Sequence, residues 1–203
     1  PEQEAQSLLW YLENVFYSTI PEIQRQLNRV ASAPTDSNAD HATNVELGFW
    51  PGGDRDGNPF VTPDTTRNVA RILHDAALAC YQEDLRTLAR RLTFPGVIER
   101  VQDTAKRLAI TRNPIVERRT EDPHEPFGCE DLSRHGFLTA EDFLTHLVEI
   151  RRSLSANHGG LFAPLVDDLI RKVKAFGFHF TSLDLRQDGR VHTALTGQLI
   201  PGY

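Results

Sequence analysis

Along most of this chain apolar residues return at helical spacing, and once, near the end, the period changes. In "FGFHFTSLDLRQ" Phe176, Phe178 and Phe180 alternate with polar neighbours and Leu183 and Leu185 follow, which is the two-residue period of a strand. This alternation constrains the fold more than any other feature. A lone strand leaves both rows of its backbone N–H and C=O groups unpaired, so it requires a partner. That partner is either the short "NVELGFW" run, residues 44–50, or chain outside this sequence. The expected fold class is mainly α: a helical bundle with at least one strand near the C-terminus.

The helices follow from their stripes. Leu8, Leu12, Val15, Phe16 and Thr19 predict a helix over residues 2–18, and Ile23, Leu27 and Val30 a second over 21–31, restarted at Pro21. Thr62 stands as an N-cap, with Pro63 at the first helical position and Asp64 in the positive first turn. Val69, Ile72, Leu73, Ala76, Ala77 and Cys80 then make one stripe, extended by Tyr81, Leu88 and Leu92, for a long helix that stops near Phe94-Pro95-Gly96. Val97, Val101, Ala105 and Leu108 give a shorter helix. Thr139 caps another through Phe143, Leu147, Ile150 and Leu154, and Leu161 to Ala175 repeats the pattern. "ASAPTDSNADHATN" and "TRNPIVERRTEDPHEPFGCEDLSRHG" have no apolar period and read as polar loops. The chain is expected to be one unit over 1–203: helices over 2–31, a glycine-rich loop over 46–61, long helices over 63–175 and a strand over 177–186.

Composition narrows the function classes. A formal charge of -6, with basic residues dispersed along helices, argues against a nucleic-acid platform. No apolar run approaches the roughly 18 to 20 residues of a membrane span, and the N-terminus lacks the plan of a signal peptide. Cys80 and Cys129 form no CxxC pair and suit a reducing compartment, so a cytoplasmic protein without membrane or nucleic-acid partners is expected. The eight histidines show no HExxH or other tight ligand spacing and read as surface or packing residues. The sequence starts at Pro1 and contains no Met, which points to an internal piece of a longer protein.

"FWPGGDRDGNPFVTPDTT", residues 49–66, carries the chemistry. As a phosphate loop it fails: Gly52 to Gly57 gives G-x-x-x-x-G, but Asn58 replaces Lys and Pro59 removes an amide. As a calcium loop it also fails, because Asp54, Asp56 and Asn58 have the right early spacing but Thr65 sits where a bidentate Glu belongs. The bland reading is two tight turns, at Gly52-Gly53 and Gly57-Asn58, with Asp54 and Asp56 pairing Arg55 or capping nearby amides. Two carboxylates flanking a guanidinium, between glycines that permit close backbone approach, favour a loop that positions something.

These residues carry a resemblance. "GFWPGGDRDGNPFVTPDTT" resembles the GGDRDGNP segment of the phosphoenolpyruvate carboxylase family, and "LDLRQDGRVHT" is similar to that family's LD(I/V)RQES-type strand end and following histidine-containing helix. "LENVFYSTIPEIQRQLN" resembles the helix pair that precedes the glycine segment there. All three stand in the family's order and span nearly the whole chain. Pro51 and Asp188-Gly189 depart from the family pattern.

The resemblance implies an internal fragment of a larger, mostly helical (β/α)-barrel-like enzyme that works as a homotetramer with Mg or Mn, whose ligands lie outside this chain. The implied reaction joins phosphoenolpyruvate to bicarbonate, giving oxaloacetate and phosphate, with the fragment alone inactive. The same resemblance implies that Arg186, at a strand end, lies near the phosphate, and that Trp50 walls the apolar pocket holding carbon dioxide. Gly52, Gly53, Asp54, Arg55, Asp56, Gly57 and Asn58 are expected to organise the substrate site, with Gln187 and Asp184 buttressing Arg186. His192 matches a family position of no assigned role. The rival reading is a noncatalytic helical scaffold or effector-binding domain. The two differ in one feature: catalysis needs Arg186 to face a cavity shared with Trp50 and the glycine loop.

Overall fold

The computed structural model describes residues 2–31, 45–112 and 135–200. The polar stretch around Cys129 and most of the loop before the glycine segment lie outside these residues. Chain order is α1 (Glu2–Tyr11), a π-helical stretch (Leu12–Phe16), α2 (Tyr17–Ala31), β1 (Gly48–Phe49), α3 (Pro63–Arg91), α4 (Ile98–Arg112), α5 (Ala140–Asn157), α6 (Ala163–Phe176), β2 (Ser182–Leu183) and α7 (Gly189–Leu199). The class is mainly α, as expected.

The first helix departs from the reading of its pattern. It runs through Pro21 without a restart, because Ile20 and Pro21 are both buried and their packing offsets the roughly 3 kcal/mol a proline costs inside a helix. The π stretch, where the Tyr17 amide bonds back to Leu12 O, adds a residue to one turn and rotates the downstream stripe by about 100°. Consequently Ala5, Leu12, Tyr17 and Ile20 form the buried face, while Val15, Phe16, Ile23, Leu27 and Val30 are exposed.

α3 is the central pillar and packs on α1, α4 and α6, while α5 bridges α4 and α6, and α2 lies on α6. It begins as its cap predicts: the Thr65 amide donates to Thr62 Oγ1 at 3.2 Å, with Pro63 at the first position. Its core face is Val69, Leu73, Ala76, Ala77, Leu78, Tyr81, Leu85 and Leu88, whereas Ile72 and Cys80 are only half-buried. Thr139 closes a reciprocal capping box with Asp142 at the start of α5. Phe143, Leu147, Ile150 and Leu154 of α5 face Val166, Leu169, Ile170 and Val173 of α6 in one continuous core.

A polar knot ties α2, α3 and α6. Tyr17 Oη donates to Asp84 at 2.7 Å, and Lys172 Nζ reaches Asp84 at 2.9 Å and Asp168 at 3.0 Å while lying 4.7 Å from the centre of the Tyr17 ring. Burial works against the Lys172 charge, but the hydrogen bond and attraction of Asp84, joined by Asp168, hold it above the ordinary lysine range. Burial and the Asp84 carboxylate raise the Tyr17 phenol.

The strand reading needs narrowing. Residues 177–181 form a turn, in which the Phe180 amide bonds to Phe176 O at 3.0 Å and Phe180 adopts φ +66°, and pairing begins only at Ser182. Phe176, Phe178 and Phe180 alternate because the core takes all three: Phe176 and Phe180 pack on Tyr17, and Phe178 on Phe143. His179 points outward, as the alternation predicts. The partner strand is found within the "NVELGFW" run. β1 and β2 pair in parallel, Gly48 with Ser182 and Phe49 with Leu183, through Ser182 N to Leu47 O and Asp184 N to Phe49 O, both 2.8 Å.

Candidate active site

Parallel pairing sends both strands the same way, so their C-terminal ends deliver the glycine loop and Arg186 to one place. Beyond the ladder the two chains remain clamped. Arg186 N donates to Gly53 O at 3.0 Å, Arg55 N donates to Arg186 O at 2.9 Å, and Asp54 forms an isolated parallel bridge with Arg186. The sequence places these residues more than a hundred and thirty positions apart; the strand register joins them.

The glycines are there for contact. A Cβ on Gly53 would sit 2.1 Å from Asp184 O, inside the strand backbone, and one on Gly52 would sit 2.5 Å from Val69 Cγ2 of α3. Gly52 also holds φ +81°, where a side chain is strained. Trp50 O accepts from the amides of Gly53 and Asp54 at 2.9 and 3.2 Å, which closes the first turn. In the second, Gly57 has φ +68° and the Phe60 amide bonds to Asn58 Oδ1 at 3.1 Å. Asp54 Oδ1 accepts from the Asp56 amide at 3.2 Å, so this carboxylate caps the loop rather than pairing with Arg55.

Arg55 turns instead to α3. Its Nη2 donates to Thr66 Oγ1 at 3.1 Å, and its Nε is buried without a partner among the described residues. Thr66 Oγ1 also lies 2.6 Å from Gly52 O and 3.2 Å from Thr62 O. Nothing in the sequence singles out Thr66 except that it is a hydroxyl in the first turn of the helix that directly follows the loop.

A shallow recess of about 240 Å³ gathers Trp50, Gly52, Asp54, Asp56 and Asn58, together with Pro51, Val61 and Glu4 of α1. Arg186 is exposed and outside this lining, and Trp50 is half exposed. Neither expected buttress reaches the Arg186 guanidinium: Gln187 Oε1 accepts from the Asp188 amide at 3.3 Å, and the Asp184 carboxylate lies beside Gly48. Asp188 caps α7 and pairs with Arg190, leaving Arg186 without an ion pair among the described residues. His192 is exposed on α7. Among the described residues no three His, Cys, Asp or Glu side chains are grouped to hold a metal ion, and no helix is long and apolar enough to cross a membrane.

A helical body whose parallel strands present a glycine loop and an arginine at their C-terminal ends has the layout in which parallel-strand proteins build active sites. The family model for phosphoenolpyruvate carboxylase matches residues 1–127 and 96–201, and the chain belongs to that family. Its relatives include proteins named phosphoenolpyruvate carboxylase from Rhodopseudomonas palustris, 28% identical over 95% of this chain, and from Ralstonia nicotianae, 29% identical over 97% of it. One from Aromatoleum aromaticum is 29% identical over 95% of the chain. The chain spans 23% of the length of the first two and 24% of the third.

Proposed function

We propose that this chain forms one wall of the active site of a longer, cytoplasmic phosphoenolpyruvate carboxylase, a carbon–carbon lyase acting as a homotetramer on phosphoenolpyruvate and bicarbonate. The observation that supports this most is the backbone clamp between Gly53, Asp54, Arg55 and Arg186, which holds the main chain of Arg186 at the C-terminal end of a parallel strand. Bicarbonate attack on phosphorus, release of carbon dioxide from carboxyphosphate and its capture by the enolate all develop negative charge. An arginine whose main chain is held at that strand end is placed to meet such charge, so Arg186 is the phosphate-side residue of this reading. Trp50 covers the apolar side of the pocket and keeps water from the enolate. Gly52, Gly53, Asp54, Asp56, Gly57 and Asn58 shape the loop, and Gln187 fixes the turn into α7. The reaction's Mg or Mn takes its ligands from the remaining chain in this reading, and the residues of this segment act on the substrate without it. The rest of the longer chain supplies the walls opposite Arg186, and the segment alone is inactive.

One observation favours the rival scaffold reading: Arg186 lies outside the recess that holds Trp50 and the loop. Oxaloacetate formation by the full-length protein and its Arg186→Ala variant separates the two. A drop in kcat of about 100-fold or more, with an unchanged melting temperature, is the catalytic outcome. A variant as active as the wild type would leave Arg186 without a catalytic role and the loop as scaffold.

A further inference from the structure

The glycine loop is closed from the helix side by one hydroxyl. Thr66, half-buried in the first turn of α3, has a single proton and two lone pairs. Gly52 O, at 2.6 Å, is the nearest acceptor for that proton, and Thr62 O lies at 3.2 Å. Arg55 only donates, so its Nη2 at 3.1 Å must use a Thr66 lone pair. The buried Arg55 Nε has no partner, which makes Thr66 the side-chain anchor of this guanidinium among the described residues. From the same residue, the Arg55 amide holds Arg186 O at 2.9 Å. An unbroken chain of contacts therefore runs from the first turn of α3 through Arg55 to the strand end.

We propose that Thr66 is a positioning residue for the carboxylation reaction, acting through Arg55 to fix the main chain that carries Arg186. This role rests on the carboxylase reading above. Loss of the hydroxyl leaves Gly52 O and the Arg55 guanidinium each short of a partner, and the loop relaxes away from α3. Because oriented charge works only at short range, a displacement of the strand end reaches kcat before it reaches folding.

The test uses the full-length enzyme and the variants Thr66→Val, which keeps the shape, and Thr66→Ser, which keeps the hydroxyl. Thr66→Val is expected to lower kcat about tenfold with a smaller change in the phosphoenolpyruvate KM, and Thr66→Ser to stay within about twofold of wild type. In an Arg186→Ala background Thr66→Val is expected to cost nothing further, since its effect travels through Arg186. Three results would overturn the role: Thr66→Val with wild-type kcat, Thr66→Ser as impaired as Thr66→Val, or a loss that repeats in full in the Arg186→Ala background. A folded wild-type enzyme without carboxylase activity would sink the carboxylase reading and this role together, whereas an active wild type with an indifferent Thr66→Val overturns this role alone.

Discussion

Gly53 shows how much a missing side chain decides at this site. Its Cα faces Asp184 O so closely that any Cβ would lie 2.1 Å from that oxygen, and the Arg186 amide must reach Gly53 O in the same space. Gly53→Ala therefore forces the loop and the strand end apart and is expected to cost about 3 kcal/mol, a large overpacking penalty, read by urea unfolding of the chain. A stability equal to wild type would mean the two backbones do not meet as described. Gly57 is a useful contrast, since nothing among the described residues lies within 4 Å of its would-be Cβ and only its φ of +68° resists substitution. The sequence made these glycines conspicuous and gave a reason, close backbone approach. It did not say what approaches, because Asp184 is 131 positions away and only the strand register brings it near. Thr66 was invisible for the same reason: a threonine inside a helix looks ordinary until its neighbours are known.

Among the elements, those governed by neighbours in the chain were legible and those governed by the core were not. Thr62 and Thr139 were readable as caps because a side chain bonding an amide three residues on is a local event. The π turn at Leu12–Phe16 and the tight turn at 177–181 follow no local pattern, since both exist to place Tyr17 and three phenylalanines in one core. His74 of α3 holds that second turn, with Nδ1 2.7 Å from Phe178 O. Burial lowers its pKa below the ordinary 6.5; the bond to Phe178 O opposes this, and the nearby His179 adds to it. A group depressed in this way binds its proton more readily in the unfolded chain. The stability it contributes is complete above pH 6.5 and declines as pH falls from 6.5 towards the folded value. Melting curves between about pH 5 and pH 8 should show this decline, and His74→Gln should flatten it. His146, also lowered by burial and by Arg107, leaves a residual slope in the variant. An identical slope in His74→Gln would remove His74 from the account.

For the whole molecule the telling feature is apolar surface. Val15, Phe16, Ile23, Leu27 and Val30 lie exposed along one helix, and Val191, Leu195 and Leu199 along α7, which buries no residue. Faces of this kind on a single chain associate with something. The 203-residue chain by itself is expected to self-associate, and Ile23→Glu with Leu27→Glu to shift it towards monomer in sedimentation velocity. A monomeric wild type at tens of micromolar would show that these faces are tolerated in water. The exposed Arg186, at the strand end, belongs to the same picture. The sequence by itself determined the helices, their caps, the glycine loop and the family, because each rests on short-range spacing or on a contiguous run of residues. Tertiary structure alone decided that β1 pairs with β2, that Gly53 meets Asp184, and that Arg55 joins Thr66 to Arg186. Those contacts span long stretches of chain, and their partners are selected by packing that no local pattern encodes.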